Sequence, residues 1–309
     1  MIDKRELFSI GIGTWGIGGF AVRNQKLEIE KQIDAIAYML NRGMNFVEAN
    51  LWYSQGFSTE ILAEAIKRSN KKRSELFICQ AVYLKDNKLN DVEDEINRLL
   101  SLLETDHIDT LQFTQSSFIE YGFDKVCGTA SKMISKGKTR FVSITNENLE
   151  NLKRYHHKFK DKLFSTETCY NFEIRANEEE GIINYANDNG ILNVIYQPLR
   201  RNRTANRNWP LLIELSKKYS VTQNQIIMGW LLSKKLLPLT KSENKTHIDQ
   251  HLEAIYLRLE DADIKRLNQF RPPNYNPPKV DWECTGTGVK VDQLSNVFDA
   301  EYDKQRTNP

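Results

Sequence analysis

Short, dense runs of apolar residues alternate along this chain with longer stretches whose apolar residues recur every third or fourth position. The first kind reads as a buried strand, the second as a helix with one covered face. Residues 7–12 form the first strand. A helix over about 26–42 follows, with Ile29, Ile33, Ile36 and Leu40 on one face and Gly43 as its stop signal. Residues 45–48 are the second strand, and Ser58 caps a helix carrying Ile61, Leu62, Ala65 and Ile66. The alternation continues with strands at 76–83, 108–113, 140–144, 164–169, 191–196 and 236–239. Helices at about 91–104, 123–135, 147–157, 178–189, 223–233 and 247–256 lie between and after them, with a short one after Trp209-Pro210.

Regular strand–helix alternation implies a parallel sheet, and eight such units close into a (β/α)8 TIM barrel. A doubly wound open sheet is the competing α/β architecture, and it wants a glycine-rich phosphate turn after the first strand. Gly11-Ile-Gly13-Thr-Trp-Gly16 has that spacing, but Ile17-Gly18-Gly19-Phe20 continues as loop where the fingerprint needs a helix. The segment therefore reads as a loop at the mouth of a barrel. From Pro272 the character changes: Pro272, Pro273, Pro277 and Pro278 are followed by a polar stretch with few apolar anchors, among them Trp282 and Phe298. The expected organisation is a barrel over 1–271 and an extended tail over 272–309, which either packs back over the mouth or stays on the surface.

The 309 residues allow two domains or one large barrel, and the alternation selects the barrel. Lys+Arg 43 against Asp+Glu 41 leaves a net charge of +2, so the overall charge argues for neither a nucleic-acid nor a membrane partner. Cys79, Cys127, Cys169 and Cys284 are far apart, which fits reduced thiols better than a zinc site or a disulfide framework. The N-terminus is too polar for a signal peptide, and no apolar run approaches the roughly 18 residues of a membrane span. A cytoplasmic protein is the expectation, with no metal and with its oligomeric state left open. His107 and His156-His157 read as structural and surface residues.

Chemistry in such a barrel sits at the carboxyl ends of the strands. The residues there are Trp15, Glu48, Asn50, Tyr53, Ala81, Tyr83, Gln112, Gln115, Thr145, Asn146, Glu167, Tyr170, Gln197, Lys241 and Ser242. Arg200, Arg201, Arg203 and Arg207 crowd the loop after the seventh strand, as a clamp for an anion or as a solvated loop. That patch is short and has Trp209 as its aromatic neighbour, too little for nucleic acid.

The segments IGIGTWGIGG, NRGMNFVEANLWY, FSTEILAEAI, HIDTLQF, SKGKTRFVSITN, ETCYN, VIYQPL and LPLTKSENKTHIDQHLEAI occur in an order and spacing that resembles the aldo-keto reductases, over nearly the whole chain to about Phe270. The resemblance implies NADP(H) and a small carbonyl substrate, handled by an Asp, Tyr, Lys and His tetrad. Carried onto this chain, the Asp position holds Glu48, the Tyr position Tyr53, the Lys position Ala81 and the His position Gln115. For the cofactor it implies Thr145 and Asn146 at the nicotinamide carboxamide and Glu167 in place of a glutamine there. It also places Tyr196 as the stacking ring, Lys241 and Ser242 at the 2′-phosphate, and His247 where an arginine is usual.

An unperturbed tyrosine titrates near pH 10, and a neighbouring ammonium would stabilise its phenolate; a neighbouring carboxylate does the reverse. The expectation is an aldo-keto-reductase-like protein with a degenerate tetrad. It either acts on a small carbonyl or sugar-like compound by an altered, proton-transfer route, or is an inactive relative that binds nucleotide or protein.

Overall fold

The computed structural model describes residues 6–20, 22–82 and 88–273. Eight parallel strands, β1 (Gly11–Gly13), β2 (Phe46–Ala49), β3 (Phe77–Val82), β4 (Ile108–Thr114), β5 (Thr139–Thr145), β6 (Leu163–Cys169), β7 (Leu192–Tyr196) and β8 (Leu237–Thr240), pair in chain order. The pairing of β1 with β8, Gly11 opposite Leu239, closes the barrel. This is the expected TIM barrel. Tyr83 and the tail beyond residue 273 lie outside the described residues.

Most of the longer helices cover the barrel with one apolar stripe, while the helix Gln223–Ser233 is buried nearly all round, from Gln225 to Leu231. Helix α1 (Ile29–Asn41) buries Ile33, Ile36, Met39 and Leu40, and Gly43 follows it at φ 104°. It starts later than its periodicity implied, because the Asn24 side chain and carbonyl accept from Lys26 N and Leu27 N and hold that stretch in a turn. Helix α2 (Phe57–Arg68) is not capped by Ser58. Gly56, at φ 88°, is the N-cap residue, and the Ser54 hydroxyl accepts from Ser58 N at 2.9 Å.

Then come α3 (Val92–Leu102), α4 (Gln115–Tyr121), α5 (Phe123–Ser135) and α6 (Leu149–Phe159). The single helix expected at 178–189 is two, α7 (Ala176–Glu179) and α8 (Ile182–Asp188), parted by Gly181 at φ 83°. They are followed by α9 (Arg203–Asn206), α10 (Pro210–Tyr219), α11 (Gln223–Ser233), α12 (Lys245–Glu253) and α13 (Asp261–Gln269). Helix α13 has too few apolar residues to show as a period, yet Leu267 is buried. Its last turn is tied down by Arg175, whose guanidinium donates to Leu267 O at 2.9 Å.

The barrel interior is layered. At the amino-terminal end Phe46, Phe77 and Phe164 form an aromatic plug, Phe77 stacking on Phe164 at 4.1 Å and on Phe46 at 5.5 Å between ring centres. Above it Thr110, Ser143 and Ser165 share hydroxyl hydrogen bonds of 2.8 and 2.7 Å. Above that belt the inward side chains become acids and amides. Among the described residues no helix is long and apolar enough to cross a membrane.

Candidate active site

Two carboxylic acids sit in the mouth-side layer. Because the barrel closes in chain order, β2 and β6 lie on opposite sides of it, so Glu48 and Glu167 confront each other across the interior. Glu48 is fixed from β1, its carboxylate accepting from Thr14 N at 3.4 Å while its carbonyl accepts from the Thr14 hydroxyl at 2.9 Å. Glu167 accepts from the Gln112 amide at 3.0 Å, and the Gln112 carbonyl accepts from the Cys79 thiol at 2.8 Å. Both acids are almost fully buried. Burial pushes the Glu48 carboxyl up to about 7, against the pull of a hydrogen bond from Tyr53 and the charge of Lys241. Burial, and then the Glu48 charge, push Glu167 up to about 8.

Tyr53 stands over Glu48. It opens a tight turn, Tyr53–Gly56, in which Ser54 and Gln55 take left-handed φ of 45° and 58°. The Ser54 hydroxyl donates to Ile17 O at 3.0 Å, holding this strained backbone against the loop after β1. The Tyr53 hydroxyl donates to Glu48 and accepts from Asn50. Desolvation first, and then the Glu48 and Glu167 charges, hold it well above the usual phenol range. Trp15 packs edge-on against Tyr53 at 4.8 Å and lies parallel to Trp52 at 5.6 Å, making one wall. Ala81, buried on β3 in register with Gln112, brings a methyl group to this centre.

These groups line one cavity of about 1270 Å³. Glu48, Tyr53, Ala81, Gln115, Thr145, Asn146, Glu167, Tyr196, Lys241, Ser242 and His247 all reach it, so the fold gathers these residues around one space. Thr145 donates its hydroxyl to Glu167 O at 3.1 Å, and the Tyr196 hydroxyl donates to Asn146 at 2.8 Å. The Lys241 ammonium lies close over Gly16, within 2.9 Å of where a Cβ on that glycine would sit.

Strand β4 runs through Thr114, one residue beyond its expected end, and Gln115 is the first residue of α4 and lines the cavity. Two placements differ from the reading of the sequence. Tyr170 is wholly buried, stacked on Trp230 and donating to Glu178 at 2.8 Å, because it follows the inward Glu167 and Cys169 with the opposite pleat. The arginine cluster is partly committed within the protein. Arg200 donates to the buried Glu173, Arg207 lies 3.6 Å from the same carboxylate, and Arg201 caps the Phe20 ring at 4.8 Å.

Two residues were missed. Glu173 anchors that cluster, and nothing in its local pattern sets it apart from a surface acid. Gln32, buried on α1, accepts from Gly18 N at 2.8 Å and donates to Glu243 at 2.9 Å, joining the loops after β1 and β8. Its signal was a polar residue three positions after Ile29, on the apolar stripe.

The profile of the aldo/keto reductase family matches residues 9–272. The chain belongs to the aldo/keto reductase family. It is 27% identical over 205 residues to aldo-keto reductase YhdN of Bacillus subtilis (strain 168), a match spanning 63% of this chain and 60% of that relative. Among solved aldo/keto reductases it is similar to the thermostable Tm1743 in complex with the inhibitor epalrestat. The TM-score is 0.76 at 24% identity, covering 85% of this chain and 94% of the other. It is also similar to an aldo-keto reductase from Klebsiella pneumoniae in complex with NADPH, with a TM-score of 0.72 at 17% identity, covering 88% and 93%.

Proposed function

We propose that this aldo/keto reductase family member binds NADP(H) and acts on a small, uncharged, hydroxylated carbonyl compound by proton transfer between Tyr53, Glu48 and Glu167. The observation that carries the reading is the meeting of Tyr53 with two opposed buried acids beside an alanine.

The cavity suits the cofactor in its own residues. Gln197 Oε1, Gln223 Oε1, Asn224 Oδ1 and Arg200 Nε are buried on its wall without a hydrogen-bond partner, as expected where a polar ligand completes the site. Tyr196 offers a ring face, and Lys241, Ser242 and His247 offer polar groups for a phosphate. The Klebsiella pneumoniae neighbour was crystallised with NADPH. Thr145, Asn146 and Glu167 would hold the nicotinamide end. NADP(H), when bound, supplies or accepts hydride.

The protein's own groups point elsewhere for the reaction. Phenolate on Tyr53 meets two acids and no lysine at position 81, so proton donation from Tyr53 alone is slow at neutral pH. Glu48, held at about 7, is matched to take and return a proton near neutrality. Glu167 is raised by burial and by the Glu48 charge, so the pair keeps a proton near neutrality that either member can give. Gln115 donates a hydrogen bond to the substrate oxygen and carries no proton. Asn50, Gln112, Asn146 and Gln197 line the cavity with neutral amides suited to hydroxyl groups.

The test is NMR of a three-carbon hydroxyketone in D2O with the protein and NADP+. Deuterium is expected at the carbon next to the carbonyl, with Glu48→Gln slowing its entry by at least roughly a hundredfold. Ala81→Lys is expected to move the protein toward NADPH oxidation by aldehydes. Vigorous NADPH oxidation by the unmodified protein would overturn the proton-transfer reading. Cofactor binding without exchange or reduction would instead mark a nucleotide-binding module, which the methyl group at Ala81 favours.

A further inference from the structure

We infer that the mouth-side acids select the redox state of the cofactor, holding the oxidised, cationic nicotinamide of NADP+ in preference to the neutral ring of NADPH. This rests on the NADP(H) reading above. A ring entering the layer where β2 faces β6 has the Glu48 carboxyl on one side and the Glu167 carboxyl on the other. Gln112 and Thr14 hold the two acids in place, so neither turns away to solvent. Ala81 brings no compensating cation from β3.

The two cofactors carry the same phosphates and sugars, so every contact at Lys241, Ser242, His247 and the arginine loop cancels in the ratio of their affinities. What remains is one positive charge on the ring, set between the two acids, with Lys241, whose charge reaches Glu48, opposing it. At several ångströms and the effective dielectric of such sites, a preference on the order of tenfold to a hundredfold follows.

The preference depends on ionisation of the acids, so its sign with pH is fixed. Both carboxyls titrate near neutrality, Glu48 at about 7 and Glu167 at about 8. The groups facing them do not reverse the trend. Tyr53 and Cys79 are both pushed upward and stay protonated, and Asp109 acts on Cys79 as a further negative charge. Lys241, whose charge reaches Glu48, works against the cationic ring and lowers the preference without changing its direction with pH, while Thr14, Asn50 and Gln112 do not titrate. His251, behind Thr240, is lowered to about 4 and stays neutral. A cationic ring favours the ionised acids, so NADP+ binding expels protons and tightens as pH rises.

The experiment titrates the full chain with NADP+ and with NADPH at about pH 5.5 and about pH 8.5. The expected result is near-equal affinity at the lower pH and an NADP+ preference of at least roughly tenfold at the higher, reduced in Glu167→Gln and in Glu48→Gln. A second readout needs no variant: calorimetry at about pH 7.5 in buffers of different ionisation enthalpy should show protons released on binding NADP+ and fewer or none on binding NADPH. Equal affinities at pH 8.5, or equal proton release, would overturn the inference while leaving the NADP(H) reading intact. Failure of both cofactors to bind would remove that reading, and the inference with it.

Discussion

At the scale of single residues, the charge around Tyr53 is set by two buried acids, Glu48 and Glu167. Each buried acid has an energetic consequence that can be measured without any ligand. An acid whose folded value lies above its ordinary 4.5 binds protons more tightly in the native state. Its contribution to stability is fully present below pH 4.5 and is lost as pH rises through about 7 for Glu48 and about 8 for Glu167. Each unit of displacement corresponds to about 1.4 kcal/mol, so the pair together should remove several kcal/mol between pH 5 and 8.5. Urea midpoints across that range are expected to fall as pH rises, and Glu167→Gln should flatten the fall. A flat profile in the unmodified protein would show that the acids are well solvated.

At the scale of elements, the loop after β7 is the part whose role changed between sequence and structure. Four arginines in eight residues read as a clamp for an anion or as a solvated loop, yet Arg200 is turned inward onto Glu173, and Trp209 donates to the same carboxylate at 2.7 Å. Glu173 is itself set by Asn171, whose side chain accepts from Glu173 N and Ile174 N at 3.0 and 2.9 Å. Arg200, Arg201 and Asn202 take left-handed φ of 49°, 53° and 67°, a cost that this anchor helps to offset. Glu173→Gln leaves a buried guanidinium without its counter-charge, expected to cost about 3–5 kcal/mol. The loop should then be cut faster by trypsin and Trp209 fluorescence should shift to the red; unchanged cleavage would mean the anchor lies elsewhere.

Why this pair escaped the sequence is physical: Glu173 and Arg200 are 27 positions apart on successive loops, and no local period links them. The strands and most helices, by contrast, were legible because their apolar spacing is local. So were the mouth residues Glu48, Tyr53 and Glu167, which follow from where strands end. The fourth strand runs one residue beyond its apolar run because Thr114 pairs with Thr145.

At the scale of the whole molecule, the barrel separates what stabilises it from what it does. The aromatic plug lies at the amino-terminal end of the strands and the acids at the carboxyl-terminal end, with the hydroxyl belt of Thr110, Ser143 and Ser165 between. If that separation holds, substitutions in the two layers have opposite signatures. Phe77 is fully buried and stacks on Phe46, Phe141 and Phe164, so Phe77→Ala should cost about 3–5 kcal/mol in chemical denaturation. Under conditions where it remains folded, its relative affinity for the two cofactors should match that of the unmodified protein, since nothing in the acid layer has changed. Glu167→Gln should do the reverse, keeping or raising stability near pH 8 while altering that relative affinity. Both variants are compared by denaturation and cofactor titration at one pH, in a double-mutant cycle. Near-additive effects are expected, since Phe77 does not touch the acids and the layers are joined through the Cys79 thiol on Gln112; a coupling well above about 0.5 kcal/mol would show that the plug positions the acids, and that the barrel acts as a single unit from floor to mouth.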